Sequence, residues 1–323
     1  MKKALVTGGA GFIGSHLCEH LVRSGWQVCA IDNLSTGRYE NIEHLESKKQ
    51  FRFVKGDIMD EKLVDRCAKG IDVVFHLAAA VGVRYIIDHP LESMITNVHG
   101  TEIVIRAAAK NKTMFVLAST SEVYGKNEKV FFSEDDDRIE GSTTISRWSY
   151  ACTKALDEFM TLAYHREKKL KTIIFRFFNT CGPRQTGRYG MVIPRFVTQA
   201  LEGKPITVYG DGRQRRCFAY VGDVIDGMMR LVACKDAVGK IFNIGTEEDS
   251  SIIELAKRVK ALTKSSSTIK LIPYEDAFDK GFEDMRYRRP DLTRIFTTVG
   301  YEPKTSLDEL LKKVIDYYRN ESK

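Results

Sequence analysis

The chain has seven cysteines, at 18, 29, 67, 152, 181, 217 and 234, with no CxxC pair among them. An odd, scattered set argues against a disulfide framework and against a thiolate zinc site; it reads as reduced thiols in a cytoplasmic protein with no structural metal. No stretch of 18 apolar residues occurs, so no membrane-spanning helix is expected. The opening MKKALVTGGAGFIGSHL has the two lysines and the apolar start of a leader, but glycines interrupt it within a few residues and no convincing cleavage site follows. No run of five or six like charges is present, which argues against a nucleic-acid arm. Repeats, low-complexity tracts and flexible linkers are also missing.

What is present suits a soluble globular protein. The 323 residues fit one large domain or two modest ones, and 43% hydrophobic residues supply a core of that size. The net charge of +7 is spread along the chain and is compatible with a small anionic substrate.

Short apolar runs recur at 3–9, 27–32, 50–57, 72–78, 114–119 and 171–177, with helical spacing between them at 14–25, 95–110 and 150–168. This alternation predicts an α/β fold, a Rossmann-type doubly wound parallel sheet with helices on both faces. After about residue 180 the rhythm changes and arginine-rich loops appear. The expected division is a dinucleotide-binding domain over 1–180 and a smaller C-terminal substrate-binding lobe over 181–323, with part of the chain returning to the first.

The first strand runs into TGGAGFIG, which places glycines at 8, 11 and 14 immediately before a helix. Such glycines permit a tight turn, close approach of a pyrophosphate to backbone N–H groups, and close packing of helix on strand. The helix N-terminus then favours the phosphate charge. Asp32 ends the second strand, 24 residues after Gly8. An acid there accepts hydrogen bonds from ribose hydroxyls and repels a 2′-phosphate, so NAD is expected rather than NADP, with nearby Arg38 as the opposing signal.

In YACTK, Tyr150 and Lys154 are four apart and share one helix face. A lysine beside a phenol favours phenolate and makes tyrosine usable as a base. Alone the pattern also describes an exposed helix surface; after a dinucleotide motif and the hydroxyl-rich LASTSEVYG (117–125), chance is a poor explanation.

With these residues in place, the sequence resembles the extended short-chain dehydrogenase/reductase superfamily, and within it the nucleotide-sugar epimerases, dehydratases and decarboxylases. TGGAGFIGSHL, DNLSTG, GDI, HLAA, STSEVYG, YACTK, RFFNTCGPRQ, VYGDGRQRRCFAYVGDV, FNIG and RRPD follow one another in the order of that superfamily. The resemblance implies that Gly8, Gly11, Phe12, Ile13 and Gly14 wrap the pyrophosphate and that Asp32 takes the ribose, with Asn33 also among the cofactor-binding residues. It implies Asp57 and Ile58 at the adenine and Leu77, Ala78 and Ala79 along the path to the nicotinamide. Tyr150 is implied as the base at the sugar 4-hydroxyl, with Lys154 holding the nicotinamide ribose and Thr120 bonding the same sugar oxygen. Ser121 and Glu122 complete the catalytic set. Asn179, Arg184, Arg188, Val208, Arg216 and Arg288 are implied at the nucleotide sugar, with Val208 near the base ring.

Transient oxidation at C4 opens three outcomes. Thr120-Ser121-Glu122 fits a decarboxylase or a 4,6-dehydratase better than a simple 4-epimerase, and the later RYRRPDL and the SRWSYACTK segment resemble UDP-glucuronate decarboxylases. Decarboxylation of UDP-glucuronate is therefore expected first, epimerisation of a UDP-sugar second and dehydration third. A non-catalytic dinucleotide-binding scaffold is a remote alternative that predicts loss of Tyr150 or Lys154, both of which are present. The resemblance also implies a homodimer built on the helices near 95–110 and 150–168, with Ile103, Val104, Ala107 and Ala108 and with Leu156, Phe159, Met160 and Ala163 as its apolar positions.

Overall fold

The computed structural model describes residues 1–187, 191–277, 285 and 287–321. The strands are β1 (Lys3–Thr7), β2 (Gln27–Asp32), β3 (Phe51–Lys55), β4 (Val73–His76), β5 (Met114–Thr120), β6 (Thr172–Phe177), β7 (Thr180–Cys181), β8 (Ile206–Tyr209), β9 (Arg215–Cys217), β10 (Ala219–Tyr220), β11 (Lys240–Ile244), β12 (Asp249–Ser251) and β13 (Ile269–Ile272). The helices are α1 (Phe12–Arg23), α2 (Glu61–Ala68), α3 (Val83–Asp88), α4 (Pro90–Lys110), α5 (Trp148–Lys168), α6 (Val192–Leu201), α7 (Val221–Ala233), α8 (Ile252–Thr263), α9 (Tyr274–Ala277), α10 (Thr293–Val299) and α11 (Leu307–Glu321).

Seven strands form one sheet in the order β3-β2-β1-β4-β5-β6-β11, and every pairing in it is parallel. Parallel strands covered on both faces need apolar side chains at successive positions, which is why KALVT and VVFH are almost wholly buried. Alternate residues then serve different cores. Ala4, Val6 and Phe75 pack under α1 and α7, whereas Leu5 and Val74 pack under α2, α4 and α5. β11 puts residues 240–244 beside β6.

A third core, formed by α6, α8 and α11 with Ile206 and Val208, lies in the later part of the chain. There Ser251 and Glu254 make a reciprocal capping box at the start of α8, which satisfies backbone donors that a helix cannot satisfy itself.

The apolar positions expected at a dimer face divide in two. Ile103, Val104, Ala107 and Ala108 are core residues under the sheet, each at most 2% exposed. Leu156 and Phe159 do face outward, together with Leu91 and Ile95 of α4.

Candidate active site

The sheet order reverses between β1 and β4, and a crevice opens at the carboxyl ends of those strands. A cavity of about 720 Å³ begins there and runs past the end of β5 to β8 and Tyr274, a size suited to small-molecule ligands.

The turn after β1 has room for a pyrophosphate because side chains are missing where they would clash. Gly8 has φ +71°, and a Cβ on Gly14 would stand 2.0 Å from the Gly8 carbonyl oxygen. α1 begins after Gly11 with no side-chain cap and no acid in its first turn, so its N-terminal dipole is available to an anion. Asp32 closes the far wall: one carboxylate oxygen accepts from Ala10 N–H at 2.9 Å, the other from Leu34 N–H at 2.8 Å. Burial raises its pKa while these bonds oppose the rise. Arg38, the residue that argued for a 2′-phosphate, is drawn to Glu40 at 3.5 Å and Glu321 at 3.4 Å. Asn33 donates to Asp57 at 2.8 Å, and Asp57 in turn accepts from Met59 N–H. With Phe12, Ile13, Ile58, Leu77, Ala78 and Ala79 also on the wall, the residues present fit a dinucleotide.

The next stretch of the cavity wall is built where β5 runs into a short 3-10 turn over Ser121–Tyr124. Alternation along the strand separates the hydroxyls. Ser119 donates to Glu158 at 2.5 Å, and Glu158 is gripped by Arg176 at 2.7 and 3.0 Å. That hydroxyl therefore belongs to a buried structural network. Thr120 accepts from Glu122 N–H at 3.2 Å and bonds the Tyr150 phenol, while Ser121 is buried on the cavity wall.

Glu122 is the most strongly perturbed carboxylate among the described residues. Arg147 Nη2 lies 3.2 Å from its Oε2, and Arg288 Nη1 bonds its Oε1. These two guanidinium groups, with Arg216 contributing at longer range, overcome burial and hold the carboxyl down at about 2. Arg288 also donates to Asn179 Oδ1 at 2.7 Å, and Asn179 is anchored through Nδ2 to the Cys217 carbonyl at 3.0 Å.

The sequence expectation places Lys154 beside the Tyr150 phenol on one face of α5. Lys154 is turned into the interior, 2.9 Å from Asp157 Oδ2. The Tyr150 pKa is raised by burial first, then by the negative charges of Glu122 and Asp157, with the Thr120 bond opposing. In this state the lysine charge is already matched by Asp157.

Among the expected substrate residues, Arg216 and Arg288 converge on Glu122. Arg184 also lines the cavity and lies over α1, 2.8 Å from Glu19 and 3.5 Å from Ser15. Val208 is fully buried in the α6–α8–α11 core and does not face the cavity; its neighbour Tyr209 does. Arg188 lies outside the described residues. Arg147 was not singled out from sequence: it lies ahead of the helix expected over 150–168 and immediately before α5 in the structure. Arg195 was also missed: it lines the cavity with its guanidinium 3.9 Å from the Tyr209 ring centre.

A glycine-lined crevice at a sheet reversal, leading to the Thr120 hydroxyl at the end of β5 and to Tyr150 of α5, defines a dinucleotide-dependent enzyme of the extended short-chain dehydrogenase/reductase class. The GDP-mannose 4,6 dehydratase family model matches residues 5–314, and the chain belongs to that family. It is 42% identical over 320 residues to UDP-N-acetyl-alpha-D-glucosaminuronate decarboxylase of Bacillus cytotoxicus, covering 98% of each chain. Identity to UDP-glucuronic acid decarboxylase 1 of Danio rerio is 33%, over 99% of this chain and 73% of that one. The structure of UDP-glucuronic acid 4-epimerase from Bacillus cereus, in complex with UDP-glucuronic acid and NAD, superposes with a TM-score of 0.87 at 33% identity, covering 98% of this chain and 99% of the other.

Proposed function

We propose that this protein decarboxylates a UDP-linked hexuronate with NAD as a recycled cofactor. The observation that carries the reading is the arginine-held Glu122. A carboxylate kept ionised down to about 2 is too weak a base, and too weak a proton reservoir, for the C5 deprotonation and C6 hydroxyl loss of a dehydratase. Simple 4-epimerisation of a neutral UDP-sugar has no use for such a cluster. Loss of carbon dioxide needs no proton abstraction from carbon and no C6 hydroxyl departure. A ketone at C4 lets the C5–C6 bond break, and the electron pair stays on C5 as an enolate. C5 then takes one proton from water or an enzyme acid before hydride returns to C4. Arg147, Arg216 and Arg288 gather around Glu122, and guanidinium groups are the side chains suited to receive a sugar carboxylate. The names of the two decarboxylase relatives support the same reaction.

NAD, when bound, supplies the acceptor for the C4 hydride and its return. The chain's own residues do the rest: Tyr150 takes the 4-hydroxyl proton and gives it back, and Thr120 holds that oxygen. Arg147 and Arg288 orient the uronate, while Ser121 and Asn179 border it.

The test is purified protein with NAD and UDP-glucuronate, UDP-N-acetylglucosaminuronate and UDP-glucose, with products read by mass spectrometry and proton NMR. Loss of one carbon dioxide from a uronate establishes the reading; a product of unchanged mass with a new sugar spectrum replaces it by epimerisation.

A homodimer is proposed on the exposed apolar face of α4 and α5, where Leu91 is 67%, Ile95 48%, Leu156 48% and Phe159 60% exposed; so many large apolar groups on two helices mark an interaction surface. All seven thiols are unpaired, which suits a reducing, cytoplasmic compartment.

A further inference from the structure

Lys154 and Asp157 meet in the interior, 2.9 Å apart, with side chains 2% and 0% exposed. Burying two charges carries a desolvation penalty of several kcal/mol per ion that pairing recovers only in part, and apolar residues of similar size often serve folding as well. Fold stability alone therefore gives no reason for the pair. Besides Lys154, the Thr101 hydroxyl bonds the Asp157 carboxylate.

Behind the pair, a string of side chains leads back to the cofactor crevice. Thr101 of α4 favours the charged form of Asp157. Its hydroxyl oxygen is 3.0 Å from His76 Nε2, His76 Nδ1 is 2.8 Å from the Thr7 hydroxyl, and Thr7 accepts from Ala78 N–H at 3.3 Å. Burial, with Lys154 assisting, pushes His76 down to about 3, so the ring is neutral and carries one proton. An ionised carboxylate only accepts, so the Thr101 O–H turns toward Asp157 and its lone pair takes Nε2–H. Nδ1 then accepts from Thr7, whose lone pair takes the Ala78 amide. Every donor in the string points from the cavity wall toward the Lys154–Asp157 pair.

We propose that Asp157 is a positioning residue for the reaction: it anchors the Lys154 ammonium behind Tyr150 and ties it, through Thr101, His76 and Thr7, to the turn that receives the dinucleotide. This rests on the reading of Tyr150 as the base in C4 oxidation. The charge of Asp157 then sets where Tyr150 ionises, because a nearby anion opposes phenolate. The other groups around the pair are Glu122 at the end of β5, which acts in the same direction, and neutral His76 on β4. Glu158 of α5 faces Asp157 and is itself bound to Arg176 of β6, while α4 contributes the uncharged Thr101.

The test uses the full chain saturated with NAD and no sugar. Ionisation of Tyr150 is read as near-ultraviolet phenolate absorbance, each protein measured against its Tyr150→Phe counterpart. Asp157→Asn is expected to move the midpoint to lower pH by about one unit or more, and to move the acid limb of kcat/KM the same way. An unmoved midpoint in a folded Asp157→Asn protein overturns the proposal. If that variant does not fold, Thr101→Val carries the test: kcat falls by about tenfold at unchanged KM, and a wild-type kcat overturns the proposal. Because the phenolate titration needs no sugar, a displaced midpoint in a protein that turns over no UDP-uronate upholds Asp157 and rejects the decarboxylase reading alone.

Discussion

Arg147 and Glu122 form an ion pair at 3.2 Å with side chains only 5% and 17% exposed, at the point where β5 delivers its hydroxyls to Tyr150. A guanidinium so placed has little freedom to serve any group but a carboxylate or phosphate. Arg147→Ala is expected to lower kcat/KM for the UDP-uronate by at least about 100-fold, on the scale of truncating a buried charge pair. NAD affinity should stay near that of the wild type. Steady-state kinetics with a parallel NAD-binding titration check this; an equal loss in both measurements contradicts an arginine dedicated to the sugar end.

The same pair makes stability depend on acid. Glu122 has a folded-state pKa depressed from 4.5 to about 2. Its contribution is therefore present above the unfolded value and is lost as pH falls from about 4.5 toward 2. The integral is on the order of 3 kcal/mol. Melting temperature followed through this window should fall less steeply for Glu122→Gln than for the wild type, and parallel curves refute the assignment. At neutral pH the variant should melt lower, because Arg147 and Arg288 lose their compensating charge.

Much of this arrangement was legible in the sequence, for identifiable reasons. Gly8, Gly11 and Gly14 carry their meaning in a local backbone requirement, and Asp32 carries its own in its distance from them, so the crevice followed from the order of residues. The Tyr150–Lys154 spacing revealed a shared helix face but not what faced the lysine from within. Asp157, one turn further along α5, competes for it at 2.9 Å. Val208 had the right segment and the wrong strand face: a one-residue step turns it into the core and Tyr209 toward the ligand. Partners such as Arg288 and Glu122, 166 residues apart, meet only through the tertiary fold, and no spacing rule pairs them.

Tyr150→Phe removes the phenolic proton carrier while keeping the ring that fills the site. Sugar conversion is expected to fall by about 1,000-fold or more, within the range of general acid–base contributions. NAD binding should change little, since the glycine turn and Asp32 are untouched. Retention of normal turnover excludes Tyr150 as the base. Thr120→Val, which removes the hydroxyl bonded to that phenol, should give a smaller loss in the same assay.

Gly14→Ala tests the cofactor crevice without removing any polar group. The added methyl would meet the Gly8 carbonyl oxygen at 2.0 Å and Gly9 Cα at 3.0 Å. Both neighbours are backbone and neither can swing aside, so relief requires α1 to move away from the turn after β1. That motion enlarges the very gap that brings the backbone N–H groups to a pyrophosphate. NAD affinity is expected to fall by at least about tenfold, with the far-ultraviolet circular dichroism of the wild type and a lowered melting temperature. Unchanged NAD binding in calorimetry would show that the dinucleotide does not lie in this turn, and the assignment of Asp32 to its ribose would fall with it.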